Sequence, residues 1–271
     1  DILNNYDSMA QVIIDDLDAL KKEYAVKRKT KIENAEEAVF EENKVQEQEV
    51  VLLMDRFGYA KTVDGSVYER NREAADKENK YILRCMNTGK LCLFTSDGKM
   101  HQIKVMDLPY GKFRDKGFPI DNVSNFDSTK EEIVYLCDDR ELFFSKFLFA
   151  TKQGMIKKVA GSEFQVTKRT IAATKLQDED ALVSIRPIRD VQDVVLMTEN
   201  GFVLRFPAEV SEKKKGAVGV RGMKLQKNDS VEEVYLFEEG TENKVIFHEK
   251  EVTLNRLKRA KRDGTGTRMR K

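Results

Sequence analysis

The sequence has no tryptophan, three cysteines, two histidines and four prolines in 271 residues, and these scarcities remove whole classes of protein. Cys85, Cys92 and Cys137 are odd in number, show no C-x-x-C spacing and lie in apolar, strand-like runs. Neither a disulfide framework nor a cysteine zinc site is therefore predicted, and the thiols are expected to be buried and reduced, as in a cytoplasmic compartment. His101 and His248 have no cysteine or second histidine at ligand spacing. That leaves no metal site and no Ser-His-Asp or Cys-His set, so both are read as ordinary strand residues. Asp138 and Asp139 are adjacent and are read as a solvated turn rather than a magnesium site. No apolar run reaches the roughly 18 residues of a membrane-spanning helix. A signal-peptide pattern and a glycine-rich phosphate loop are missing as well. The chain starts at Asp1, in mid-pattern, and is expected to be a fragment of a longer protein.

An excess of one charge is also missing. Lys and Arg number 48 against 47 Asp and Glu, so composition alone does not argue for a nucleic-acid partner. The distribution does. Residues 33–49 hold seven Glu and one Lys, while residues 256–271 hold eight Lys or Arg and one Asp, a separation that can place the two signs on different faces.

What is present is a repeat. The runs from Val50 to Val63, Leu91 to Ile103, Phe147 to Val159 and Val194 to Phe206 align on Gly58, Gly98, Gly154 and Gly201. Each has an apolar residue five positions before and five after the glycine, and Asp55, Thr95, Thr151 or Thr198 three before it. Asp97-Gly98 and Asn200-Gly201 predict hairpins with type I′ turns, in which both central residues take positive φ. The glycines are 40, 56 and 47 residues apart, near the ~40 to 50 residue period of four-stranded propeller blades. Each hairpin is followed by a basic loop, a bend, an acidic patch and another apolar strand. A looser fifth copy is read from Val234, with strands VYLF and VIFHE and the basic loop NRLKRAKRDGTGTRM.

The predicted fold class is all-β, a propeller-like pinwheel of about five blades over residues 49–271, since no long amphipathic helix separates the strands after Val50. With no tryptophan, the Trp-Asp signature of common propellers is excluded. Ahead of this body, Asp7-Ser8 is predicted to cap a helix running to about Tyr24 with a stripe of Met9, Ile13, Leu17, Leu20 and Tyr24. An acidic linker follows, with the boundary near Gln48.

No catalytic set emerges, so the basic loops carry the functional expectation. A lone turn lysine usually only aids solubility. Cations at one place in each repeat instead form a track complementary to duplex DNA, which carries one phosphate charge per ~1.7 Å of axis. Aromatics are not interleaved with these loops, which argues against stacking on single strands.

Several runs are similar to a known family: YAVKRKTKIEN from Tyr24, RFGYAKTVDGSVYERN, ENKYILRCMNTGKLCLFTSDGKMHQIKVMDLP, TKRTIAATKL and GAVGVRGMKL. Together they resemble the C-terminal region of bacterial type IIA topoisomerase A subunits, those of gyrase and topoisomerase IV, over essentially the whole chain. The resemblance implies a β-pinwheel whose basic outer rim binds and bends duplex DNA, with residues 1–48 as the end of the helical cleavage-domain scaffold plus linker. It also implies that the DNA-cleaving tyrosine lies outside this chain. No cofactor is expected here; ATP and magnesium would act in the holoenzyme through other domains, a second A subunit and the B subunit. Gyrase A carries a Q-R-R-G-G-K-G box in its first blade. The matching place here reads VYERNREAADKEN, Val67 to Asn79, without glycine, which favours a topoisomerase IV-like role in decatenation and relaxation. The alternatives are DNA wrapping of the gyrase kind and a propeller scaffold that binds proteins. The expected DNA-contacting residues are Lys61, Arg70, Arg72, Lys112, Arg114, Lys116, Lys157, Lys158, Lys168, Arg169, Lys175, Lys213, Lys214, Lys215, Arg221, Lys224, Arg256, Lys258, Arg259, Lys261, Arg262 and Arg268.

Overall fold

The computed structural model describes residues 5–30, 45–189, 192–238, 240 and 242–269. It divides into two compact units, residues 1–44 and 45–271. In the first, helix α1 spans Tyr6–Tyr24 and is capped by Asn5, whose side chain accepts the Asp7 amide, so the cap falls two residues earlier than predicted. None of its residues is buried within its own unit; Ile13, Leu17 and Leu20 are all exposed. Of the acidic segment expected over residues 33–49, residues 33–44 lie outside the described residues.

Among its described residues the second unit is all-β apart from short 3-10 turns and three short α-helices, α2 (Gly65–Arg70), α3 (Arg72–Glu78) and α4 (Asp139–Phe144). The hairpins are β1 (Glu49–Asp55) with β2 (Tyr59–Asp64), β4 (Lys90–Thr95) with β5 (Lys99–Lys104), β8 (Lys146–Thr151) with β9 (Met155–Ala160), and β12 (Gln192–Thr198) with β13 (Phe202–Pro207). Their turns differ from the prediction. Gly58, Gly98, Gly154 and Gly201 take φ of 84°, 71°, 77° and 80°, but Asp97 and Asn200 are not in the positive-φ region. The amide of each glycine donates to the carbonyl three residues earlier, as Gly98 does to Thr95 at 2.9 Å. This is the three-residue hairpin, a type I turn closed by a left-handed glycine.

The threonines three before the glycine now have a role. Thr198 Oγ1 donates to Asp229 at 2.7 Å and accepts the Phe202 amide at 3.1 Å. Thr95 donates to Glu131 at 2.7 Å, Thr151 accepts the Met155 amide at 3.2 Å, and Asp55 accepts the amides of Phe57 and Tyr59. Turn and acidic patch are thus tied together in the second and fourth units, while in the first and third this residue braces the turn itself.

Two further strands complete each blade, and they come from different places in the chain. On one side lie β3 (Asn79–Met86), β7 (Ile133–Asp138), β11 (Leu182–Pro187) and β15 (Val231–Glu238), which follow their own hairpins. These strands contact one another from blade to blade, β3 with β7, β7 with β11 and β11 with β15. On the opposite edge lie the short strands β6 (Phe118–Pro119), β10 (Thr170–Ala172), β14 (Val220–Arg221) and β18 (Thr267–Arg268). Each belongs to the next unit in sequence and crosses back to the preceding blade, giving the strand orders β3-β1-β2-β6, β7-β4-β5-β10, β11-β8-β9-β14 and β15-β12-β13-β18.

The hairpin strands are near-continuous apolar runs because both faces are covered. Leu91 and Leu93 pack with Val50, Leu52 and Met54 of the first blade, while Cys92 and Phe94 pack with Phe147 and Phe149 of the third. Alternate residues of one strand therefore join different inter-blade cores. Cys85, Cys92 and Cys137 are buried and free. Burial pushes the Cys85 and Cys92 thiols up to about 12, so they stay protonated and inert.

The fifth unit corrects the sequence reading. Val234 to Phe237 belongs to β15 of the fourth blade, leaving only the hairpin of β16 (Lys244–Phe247) and β17 (Lys250–Thr253). Its turn is His248-Glu249, with φ of 47° and 61°, so His248 is a turn residue and not a strand residue. Asp138 also departs from expectation. It is buried, caps α4 by accepting the Glu141 amide at 2.8 Å, and pairs with Arg140 at 2.9 Å.

Candidate nucleic-acid interface

The basic loops are the segments that lead into the crossing strands, so they lie on the edge of each blade away from the strands through which the blades touch. They cross equivalent strand positions. Thr62 bonds Pro109 and Gly111, Gln102 bonds Arg169 at 2.7 Å, Lys158 accepts the Lys213 amide at 2.8 Å, and Arg205 accepts the Ala260 amide at 2.8 Å. All four residues stand four after the hairpin glycine. Three of the loops end on a glycine that touches the strand beneath, the last being Gly266, where a Cβ would lie 2.7 Å from the Val203 carbonyl oxygen. A Cβ on Gly117 would lie 2.5 Å from the Ala60 carbonyl oxygen, and one on Gly219 would lie 2.5 Å from that of Ile156. No side chain fits there.

Many of the expected residues are exposed on these loops: Lys112, Arg114 and Lys116; Lys168 and Arg169; Lys213 and Lys214; and Lys258, Lys261 and Arg262. Lys175, Lys224, Arg256 and Arg268 are exposed nearby, with Arg268 over the Phe202 ring. Others are bound within the protein. Arg221 is exposed but pairs with Asp263, and its carbonyl accepts from Arg262 at 2.7 Å. Lys215 is half-buried and donates to the Glu163 carbonyl at 2.8 Å. Arg259 reaches the buried Asp193 at 2.8 Å.

Five of the expected cations lie off the exposed face of the crossing loops. Lys157 and Lys158 are 1% and 9% exposed, so both side chains are largely enclosed. The central strand β9 is covered on both faces, one by core and the other by the crossing loop. Lys157 donates to the carbonyls of Lys215 at 2.5 Å and Ala217 at 3.0 Å. Lys61, also three after its glycine, donates to those of Phe113 and, at 2.8 Å, Asp115. Arg70 and Arg72 sit on α2 and α3, outside the crossing loops. Arg70 donates to the Ser66 carbonyl, and Arg72 lies between Glu69 and Asp76 at 3.8 Å.

Two buried polar clusters escaped the sequence reading. Asp193, 1% exposed, accepts from Arg205 at 2.6 and 2.7 Å, and Arg205 also donates to the carbonyls of Asn255 and Leu257 at 2.8 and 3.1 Å. This pair holds the last basic loop on the fourth blade. An arginine inside the apolar run VVLMTENGFVLRF was the available signal. In the second blade, the buried His101 ring bridges Thr170 Oγ1 at 3.0 Å and Glu131 Oε2 at 3.2 Å, and Lys99 reaches Glu131 at 3.1 Å. Burial alone would raise the Glu131 carboxyl, but hydrogen bonds from Thr95, His101 and Lys99 outweigh it and hold the group below its ordinary 4.5. A depressed folded value means the stabilisation is complete above the unfolded pKa and is lost as pH falls through the folded one. Glu131→Gln is accordingly expected to cost about 1–3 kcal/mol at pH 7. Urea midpoints of the variant should then converge on the wild type as pH drops below about 4.5.

Among the described residues no group of three or more His, Cys, Asp or Glu side chains is placed to hold a metal ion, and no helix is long and apolar enough to cross a membrane.

Comparison with known proteins agrees with this architecture. The family model described as "DNA gyrase C-terminal domain, beta-propeller" matches residues 145–189 and 192–237, which hold the third and fourth hairpins and the strands that follow them. The A subunit of DNA gyrase from Lawsonia intracellularis is 30% identical over 250 residues, covering 87% of this chain and 30% of the relative; that from Clostridium acetobutylicum is 29% identical, covering 82% and 28%. The chain thus spans under a third of the length of these relatives. Among solved structures, the C-terminal domain of DNA topoisomerase IV superposes with a TM-score of 0.71 at 24% identity, covering 82% of this chain and 73% of that one. The E. coli ParC C-terminal domain gives 0.67 at 15%, covering 82% and 94%. With four hairpin-centred blades closed by exchanged strands and relatives aligned along most of its length, the chain belongs to the family of C-terminal domains of type IIA topoisomerase A subunits, the DNA gyrase and ParC kind.

Proposed function

We propose that this chain is the duplex-DNA-binding and bending domain of a topoisomerase IV-like enzyme, which decatenates and relaxes DNA in the cytoplasm. Cleavage, ATP hydrolysis and magnesium binding belong to other domains, a second A subunit and the B subunit. One observation carries this reading: in four successive blades a cationic loop crosses back to the same outward edge. Such loops supply phosphate contacts without base readout, so preference among duplex sequences should follow bendability.

The segment Val67 to Asn79 favours topoisomerase IV-like action over gyrase-like wrapping. Where gyrase A carries its glycine-containing basic box, this chain folds α2 and α3 and commits Arg70 and Arg72 to local partners. The curated gyrase relatives favour the second reading, wrapping. Ligating a nicked circle in the presence of the protein separates the two. Retention of the circle with little change in linking number is expected. A change that grows in proportion to bound protein would replace bending by wrapping. No retention at all would leave a protein-binding scaffold.

A further inference from the structure

We propose that Lys61 and Lys157 are positioning residues for the rim loops: each ammonium, half-buried at Lys61 and buried at Lys157, gathers two loop carbonyls inward, so the loop turns its cations and amides toward a DNA phosphate. The inference rests on the duplex-binding reading and deepens it.

Both lysines stand three after a hairpin glycine, and each donates to two carbonyls two residues apart, Phe113 and Asp115 for Lys61, Lys215 and Ala217 for Lys157. A carbonyl oxygen left on the outer surface would repel a phosphate, whereas outward amides and cations attract one. A lysine is suited to the inner place because its ammonium has three donors and no acceptor. Both loops close on a glycine pressed against the strand, Gly117 and Gly219, as the fourth does on Gly266, so the lysine adds a second tie to a loop already seated on its blade.

Burial of Lys157 is unfavourable in itself. Among the described residues no carboxylate pairs with it directly; Glu163 is the acidic group that acts on it and Lys215 the cation beside it, while the Phe149 ring lies 5.2 Å from its ammonium. Burial lowers its pKa to about 8. A side chain that served only the core would be better replaced by an apolar one. The fourth blade shows such replacement. Leu204 occupies the equivalent position in the fourth blade, and His101 occupies it in the second, where Arg169 takes the place of the closing glycine.

The test uses Lys157→Met, Lys157→Arg and Lys61→Met in this chain, with duplex affinity at fixed salt and the thermal midpoint read together. Lys157→Met should hold or raise the midpoint while weakening duplex binding about tenfold, the worth of one charge-assisted hydrogen bond. Lys157→Arg should restore binding. Added to Lys213→Glu, Lys157→Met should cost less than it does alone, because both act through one loop. If the methionine variant unfolds, Lys61→Met and the arginine rescue carry the decision. Wild-type affinity in both folded methionine variants, or losses that simply add, would overturn the positioning role while leaving duplex binding intact. A wild-type chain that fails to bind duplex would overturn the functional reading first.

Discussion

Replacing Lys213 and Lys214 with glutamate is expected to reduce duplex-DNA affinity by about a hundredfold near physiological salt and to flatten the salt dependence by about two units of slope, one for each phosphate no longer touched. Both side chains are exposed, and they lead into a loop held from below by Lys157 and closed by Gly219. Lys215 is left out of the substitution because it donates to the Glu163 carbonyl, and its reversal would disturb the loop itself. The same double reversal at Lys112 and Lys116 should cost less. Asp115 already offsets charge there, and its side chain accepts the Lys112 amide at 2.8 Å. Filter binding across a salt series reads both quantities. Equal losses at the two loops would mean that net charge alone matters.

The largest stability effect is expected at Asp193→Ala, about 3–5 kcal/mol, because it strands the guanidinium of Arg205, itself only 7% exposed, without its carboxylate. Arg259→Ala removes the half-exposed member of the same cluster and should cost about 1 kcal/mol or less. Arg205 also ties down the carbonyls of Asn255 and Leu257, so loss of Asp193 should loosen the last basic loop before the blades unfold. Faster tryptic cleavage at Lys258 to Arg262, together with a lower urea midpoint, is the expected pair of results. A lower midpoint with unchanged cleavage would separate the loop from the pair.

The hairpins were legible because a left-handed glycine, the polar residue three before it and apolar residues five away are all demanded by one local geometry. The exchange of strands was not. Two-residue strands such as Phe118–Pro119 and Val220–Arg221 are too short to show a period, and only pairing with the preceding blade makes them strands. The fifth hairpin was blurred because His248 and Glu249 take the positive φ that glycine would announce.

The basic loops could be found from charge and repetition, but accessibility could not. Lys157 and Lys158 read as surface cations until the crossing loop covers the face that a hairpin alone would leave open. The cation three after the glycine in two of four copies, Lys61 and Lys157, was the trace left in the sequence. Arg205 and Asp193 are twelve residues apart on paired strands, and neither alone shows that both will be buried.

The central claim is that loops from four blades jointly contact duplex phosphates, and the salt dependence of duplex binding tests it most directly. One contact from each loop predicts that log affinity falls against log salt with a slope of about −3.6 or steeper, alike for duplexes of unrelated sequence. A slope near zero, or tight binding to one fixed sequence that survives high salt, would contradict it.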